Sequence, residues 1–273
     1  MRTHRVSWPK TLLLALATVP FLYPFAFLIA TAVKPVSEFQ ESSVALPSNP
    51  TTENLTDAWG EAGLGNAMLH SLLAVGISVA VTVLISACGA FWFLTHRGRI
   101  SKTMRTIVVG TMALPASVFV IPLFVMLTER NWTNNLIVLG FVYAAWNAGF
   151  GTYLMYAYFD GLPGEILEAA RVDGASEAQQ LFRMLLPLSR PALATLAALA
   201  FLWSWSDLLI SVILVQDPGR RTVTSSVALL ADQFSTNTPR LAAGVLIALV
   251  PTLLVFAFGQ RYIARGVTAG VGK

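Results

Sequence analysis

The sequence predicts an all-α membrane protein with six spanning helices, and three observations carry that prediction. Its 273 residues are 55% apolar and only 12% charged, with a mean hydropathy of +0.66; soluble domains carry about a quarter charged residues. Six apolar runs, at about 11–33, 67–94, 105–128, 135–159, 189–215 and 241–261, each reach the roughly 20 residues that cross a hydrocarbon core. Lipid offers backbone N–H and C=O groups no partner, so each run closes its hydrogen bonds internally as a helix. The ten-residue alternating strands of a membrane barrel are absent.

The first run follows Arg2, Arg5 and Lys10, and Ala30-Thr31-Ala32 imitates a signal-peptide cleavage site. Its apolar stretch of about 22 residues exceeds the 7–15 of a signal core, so an uncleaved anchor is expected. Cys88, the only cysteine, lies inside the second run, which leaves no disulfide framework and no thiol metal cluster. With six spans, one side holds thirteen basic residues, among them both termini, Arg97–Arg105, Arg171, Arg183 and Arg190; the other holds Lys34, Arg130, Arg220, Arg221 and Arg240. Basic residues collect on the cytoplasmic side, so both termini are expected there. The net charge of +4 is thus an orientation signal, and nucleic-acid binding is not needed to explain it.

Outward loops are expected at 34–66, 129–134 and 216–240, the last opened by the turn Asp217-Pro218-Gly219. Trp59 and Trp132 suit the headgroup level. Inward lie a basic loop at 96–105 and a long polar segment, EAARVDGASEAQQLFRMLLPLSRP, from Glu168 to Pro191.

That segment reads as two short helices about a sharp bend. Pro163 suits a first helical turn. Glu165 and Glu168 precede Arg171, the order a helix dipole favours. Asp173-Gly174 supplies the break, and Ser176 with Gln179 forms a capping box that starts the second helix. Leu181, Phe182, Leu185 and Leu186 give that helix an apolar face and Pro187 ends it. Ala169 and Ala170 leave a narrow surface that another protein could approach. Helix physics alone equally describes an amphipathic hairpin lying on the membrane surface.

The whole pattern resembles the Glu-Ala-Ala loop of ABC importer permeases: Glu168-Ala169-Ala170, three residues, Gly174, nine residues, then Met184-Leu185-Leu186-Pro187. Asp173-Gly174-Ala175 with Phe182 resembles the carbohydrate-uptake branch, and QRYIARGVTAGVGK (260–273) the end of the smaller six-span permease of maltose-type systems. FLWSWSDLL (201–209) is similar to that family's fifth helix, with Ser206 where the family usually has Asn. The resemblance implies one permease domain, 1–273, in a bacterial plasma membrane, with a cytoplasmic coupling loop at 160–188 between helices 4 and 5. It implies three partners: a cytoplasmic ATP-hydrolysing subunit, a second homologous permease and an external sugar-binding protein. Glu168, Ala169, Ala170, Arg171, Asp173, Gly174, Phe182 and Pro187 would then meet or shape the contact with the ATPase, Phe182 by packing the loop to the transmembrane core. No cofactor is expected on this chain, ATP and Mg belonging to the partner; residues agree, since there is no G-x-x-x-x-G-K-[ST]. Nor is there an HExxH or GxSxG, and no enzymatic role is expected.

Inside the membrane Asp207 is the only acid within a run. Burying it costs about 2.5–3.5 kcal/mol on insertion scales, so it is expected to face protein or a cavity. Ser204 and Trp205 beside it, and Asn147 in the fourth run, suit a sugar: hydroxyls meet the polar groups and C–H faces meet the rings. A tie between helices explains Asp207 as well. Gly149 and Gly151 read as close helix packing, and His70 as an interfacial hydrogen bonder. The function expected is half of a translocation pathway for a sugar in an ATP-driven importer. The alternatives are a permease of that class for another solute, or an ion-coupled transporter, which usually buries several charges.

Overall fold

The structure, a computed structural model, describes residues 8–60, 63–233 and 237–271 and contains no strand among them. Arg2, Arg5 and Lys273 of the orientation count lie outside the described residues, as do the side chains of Lys10, Arg261 and Arg265. Helix α1 (Trp8–Ala32) covers the first run with Pro20 and Pro24 inside it. Two short helices, α2 (Val36–Glu41) and α3 (Glu53–Trp59), occupy part of the first loop expected to face outward. Helix α4 (Leu64–Thr95) matches the second run. The third run is not one helix: α5 (Arg99–Thr111) and α6 (Ala116–Glu129) meet at 97°. Helix α7 (Leu136–Asp160) matches the fourth. Then come α8 (Glu165–Val172), α9 (Glu177–Gln179), a π-helical turn (Gln180–Leu185) and α10 (Leu186–Leu188). The fifth run is also divided, into α11 (Arg190–Ser206) and α12 (Leu209–Leu214). A 3-10 turn (Pro218–Arg220) and α13 (Val223–Gln233) precede α14 (Thr238–Val271), which outruns the sixth run at both ends. Among the described residues α4, α7 and the Thr238–Gln260 part of α14 can each cross a membrane alone by length and composition, and up to five spans result if two bent pairs, α5 with α6 and Glu177–Leu188 with α11 at 81°, each count as one.

Each division has a local cause. Before Pro115 the N–H groups of Met112, Ala113 and Leu114 bond three residues back, to Val109, Gly110 and Thr111, at 3.1–3.2 Å. That tight turn ends α5. Pro115 then brings no N–H and pushes Leu114 away from helical angles. At the second break Asp207 takes the extended conformation φ −68°, ψ 129°. Its carboxylate accepts from Ser211 N–H at 3.0 Å and Ile210 N–H at 3.5 Å, which satisfies first-turn donors of α12 from just before its Leu208 N-cap. The Trp205 carbonyl, near the end of α11, accepts from the Thr224 hydroxyl at 2.7 Å.

The chain divides into two compact units, residues 1–65 with 226–250 and residues 66–225 with 251–273. In the first, Lys34 is only 1% exposed, and its ammonium donates to the carbonyls of Ser42 (3.0 Å) and Ala45. The Asn54 amide donates to Ala32 and Lys34 carbonyls at 3.0 and 2.9 Å, fastening α3 to the end of α1. The exposed Glu38 carboxylate accepts the Ser48 N–H, which holds it below the usual carboxylate range.

In the second unit one apolar cluster gathers Phe91, Leu94, Met155, Phe159, Leu181, Leu185 and Leu196. A second, toward the other end of α7, gathers Leu127, Leu139, Tyr143, Ile210 and Leu214. Close approach is set by glycine, as expected: a Cβ at Gly149 would sit 2.6 Å from Thr111 Oγ1, and one at Gly151 would overlap the Ser86 hydroxyl. At the turns before α7 and after α12, Asn134 Oδ1 accepts from Gln216 and Asp217 N–H at 2.7 and 2.8 Å, and Asp217 Oδ1 closes the expected turn on Gly219 N–H at 2.9 Å. Trp59 and Trp132 are about half exposed.

Candidate functional site

Both helix breaks open onto one cavity of about 380 Å3 in the second unit, within the roughly 300–1,000 Å3 of ligand pockets. From the α5–α6 break come Thr111, Met112 and Ala116; from the α11–α12 break come Ser204, Ser206 and Asp207; α7 adds Tyr143, Trp146, Asn147 and Phe150. Interrupted helices place polar backbone and short polar side chains at membrane depth, which is tolerable only where they line a cavity or pack on protein.

Three of the residues singled out in the sequence, Asp207, Ser204 and Asn147, meet there. Trp205 does not. It is 4% exposed and stacked on Phe201 at 5.3 Å and 12°. Trp203, 42% exposed and edge-on to Phe150 at 4.9 Å, lines the cavity instead. Two residues along a helix are about 200° around it, so only one of the pair can face the cavity.

Asp207 is also a tie. The Tyr143 hydroxyl donates to it at 2.9 Å, joining α7 to the start of α12. Behind it the Asn147 amide donates to Ser204 Oγ at 3.0 Å and approaches Ser78 Oγ at 3.4 Å, while the two serines are 3.0 Å apart. This buried knot links α4, α7 and α11. Ser78 escaped the sequence reading; its signal was a hydroxyl inside an otherwise apolar run. His70 Nδ1 lies 3.2 Å from the Arg221 carbonyl, which is hydrogen bonding of the kind expected of it.

The polar segment forms an elbow. Gly174 has φ +75° and a Cβ there would meet nothing within 4 Å, so the glycine serves the backbone alone. The Ala175 N–H reaches back to the Ala170 carbonyl at 2.9 Å, closing α8. The capping box is present: Ser176 Oγ accepts the Gln179 N–H at 3.3 Å and Gln179 Oε1 accepts the Ser176 N–H at 2.9 Å.

Glu168, Ala169, Arg171 and Asp173 are exposed, whereas Ala170 is buried, so the small-residue surface is Ala169 alone. Phe182 does not pack the elbow to the core. It is 51% exposed, and Leu181 and Leu185, 4% and 1% exposed, do the anchoring. The π-helical turn shifts the register of the apolar face here. Pro187 lies inside α10 rather than ending the second limb; the chain turns 81° after Leu188. Glu168 and Arg171 border a cleft of about 480 Å3 with Arg97 and Asp160. Among the described residues the ion pair within 4 Å is Arg220–Asp217, at 3.6 Å, and neither elbow residue takes part in it.

Comparison with known proteins places this geometry. Residues 83–269 match the family model described as binding-protein-dependent transport system inner membrane component. A putative ABC transporter permease protein of Streptomyces antibioticus is 31% identical over 228 residues, covering 84% of this chain and 100% of that protein. The melibiose/raffinose/stachyose import permease protein of Bacillus subtilis is 24% identical over 264 residues, 96% and 95% of the two chains. A chain of the crystal structure of a bacterial ABC transporter involved in the import of the acidic polysaccharide alginate superposes with a TM-score of 0.79. At 20% identity, over 93% of this chain and 94% of that one, it shares the fold.

Proposed function

The chain belongs to the family of binding-protein-dependent transport system inner membrane components, and from that premise we propose that it forms half of the translocation pathway for a sugar in an ATP-driven importer. It is the membrane component and not the catalyst. ATP and Mg are assigned to a separate cytoplasmic subunit, a second permease completes the pathway, and an external binding protein delivers the solute. The whole chain, 1–273, acts as one permease, with α1 as the sixth span beside the five candidates. The excess of basic residues supports cytoplasmic termini.

The observation that carries the proposal is the elbow at 160–188. A glycine-bent pair of limbs exposes Glu168, Ala169 and Arg171 and is anchored through Leu181 and Leu185 to the same cluster as Leu196 of α11. A push on the elbow therefore reaches, through α11, the helix that ends at Asp207 and the cavity. The cavity supports a sugar: Asp207 and Ser206 offer hydroxyl partners, and Trp146 and Trp203 offer ring faces.

The test is a cross-link and an uptake assay. In a Cys88→Ala background, Ala169→Cys is expected to cross-link to the ATP-hydrolysing subunit in membranes, and cells are expected to accumulate a labelled oligosaccharide only while this gene is intact. No cross-link from position 169 removes the coupling role; accumulation of a non-sugar solute alone removes the sugar.

A further inference from the structure

We infer that the cleft between α4 and α5 binds an anionic phospholipid. Two adjoining cavities make the site. One, of about 450 Å3, is lined by Gly89, Trp92, Phe93, Met104, Ile107 and Val108, with no charged or hydroxyl side chain among them. The other, of about 280 Å3, shares Phe93 and opens among Arg97, Ser101, Lys102 and Arg105. An apolar groove running into a basic chamber has the polarity order of a single lipid molecule, acyl chain then phosphate.

The position along the helices agrees. α4 ends at Thr95, α5 begins at Arg99 and α7 ends at Asp160, so the basic chamber lies where three helices end. The groove runs from there back along α4 and α5 into the span.

The chamber is set for an anion. The Arg105 guanidinium carbon lies 4.5 Å from the centroid of the Tyr156 ring, a cation–π contact that holds this charge at the chamber wall. Gly98 begins the thirteen-residue α5 with no side-chain cap, so the first N–H groups of that helix keep no side-chain acceptor where Gly98 and Ser101 line the chamber. Against three cations stands one carboxylate, Asp160, and none of the four is in an ion pair with a described residue. A free phosphate would satisfy the charge, but it leaves the adjoining groove unused. The lipid uses both.

The test places the full chain in phosphatidylcholine vesicles doped with brominated phosphatidylglycerol or brominated phosphatidylcholine. It reads the part of the tryptophan quenching that Trp92→Phe removes. The brominated phosphatidylglycerol is expected to quench at the lower mole fraction. That preference should weaken about fivefold for each of Arg97→Gln, Lys102→Gln and Arg105→Gln, and added salt should weaken it in the unaltered chain, where no variant need fold. Equal quenching by the two lipids, or a preference that survives the triple variant, overturns the inference and leaves an ordinary lipid-facing surface. Quenching by neither overturns it as well, since the groove beside Trp92 then admits no acyl chain. Loss of the preference to inorganic phosphate, but not to chloride at equal ionic strength, reduces the site to a phosphate site and overturns it too.

Discussion

Replacing Gly174 separates backbone strain from every other effect, because its surroundings are empty. The residue has φ +75° and an added Cβ meets no atom within 4 Å, so a substitution there introduces no clash. What it introduces is an L-residue in the left-handed region, which costs roughly 1–2 kcal/mol. Asn tolerates that region best and a β-branched residue worst. Gly174→Asn should therefore cost a few tenths of a kcal/mol to about 1 kcal/mol, Gly174→Ala about 1 kcal/mol and Gly174→Val about 2 kcal/mol or more. At 1.4 kcal/mol per tenfold, Ala lowers the bent population about fivefold and Val about thirtyfold relative to competing arrangements. The assay is solute uptake by the reconstituted transporter, with thermal unfolding of the same samples. Transport should fall in the order Asn, Ala, Val while the unfolding temperature changes little, because Leu181 and Leu185 keep the second limb anchored. Normal uptake by Gly174→Val refutes the coupling role. Equal loss in Asn and Val refutes the backbone as its cause.

Four further outcomes are expected. Trp203→Ala should weaken sugar uptake with modest loss of stability, whereas Trp205→Ala should destabilise by about 3–5 kcal/mol, read by uptake and thermal unfolding side by side. Asp207→Ala strands the Tyr143 hydroxyl and the Ser211 N–H and should cost about 2–4 kcal/mol; Asp207→Asn keeps an acceptor and should unfold close to the wild-type temperature. Gly151→Ala should be destabilising by about 1–3 kcal/mol, and Ser86→Ala should rescue it in part by removing the hydroxyl that the new methyl overlaps, the contacts to Ser86 Cβ and Leu196 Cδ1 remaining, a coupling that a double-mutant cycle measures. Glu38 is depressed in the folded state chiefly by the Ser48 N–H, so its contribution is present above the unfolded value and lost as pH falls through the folded one. Protection of the Ser48 amide, its exchange rate set against the free-chain rate at the same pH, should fall below the ordinary carboxylate range, and Glu38→Gln should abolish that dependence.

Much of this is legible in the sequence. Runs 67–94 and 135–159 became α4 and α7 within a few residues at each end, because long apolar periods admit little else. The elbow was legible in detail, since a glycine after Asp173 and the Ser176–Gln179 pair are local signals that tertiary packing rarely overrides. The two breaks were not.

A proline inside an apolar run is ambiguous: Pro20, Pro24, Pro122 and Pro251 sit within continuous helices, while Pro115 follows a tight turn and divides one. Which of Trp203 and Trp205 meets the cavity depends on the rotation of α11, and that is set by partners far away in the chain, Asn147 and Ser78. Phe182 lost its place to Leu181 and Leu185 for a similar reason, the π-helical turn changing which residues share a face. The short helices α2, α3 and α13 lie in segments rich in Pro, Ser and Asn, where helix is decided by docking.

The reciprocal cap between Ser176 and Gln179 has one more effect. It closes the start of the second limb using only the limb's own atoms, so under the proposed coupling role a partner meets a part already formed. Ordering entropy is then spent when the chain folds, not at each encounter. In that role, engagement could be weak, brief and repeated without the limb reordering each time, and its strength would be set by the few side chains that protrude.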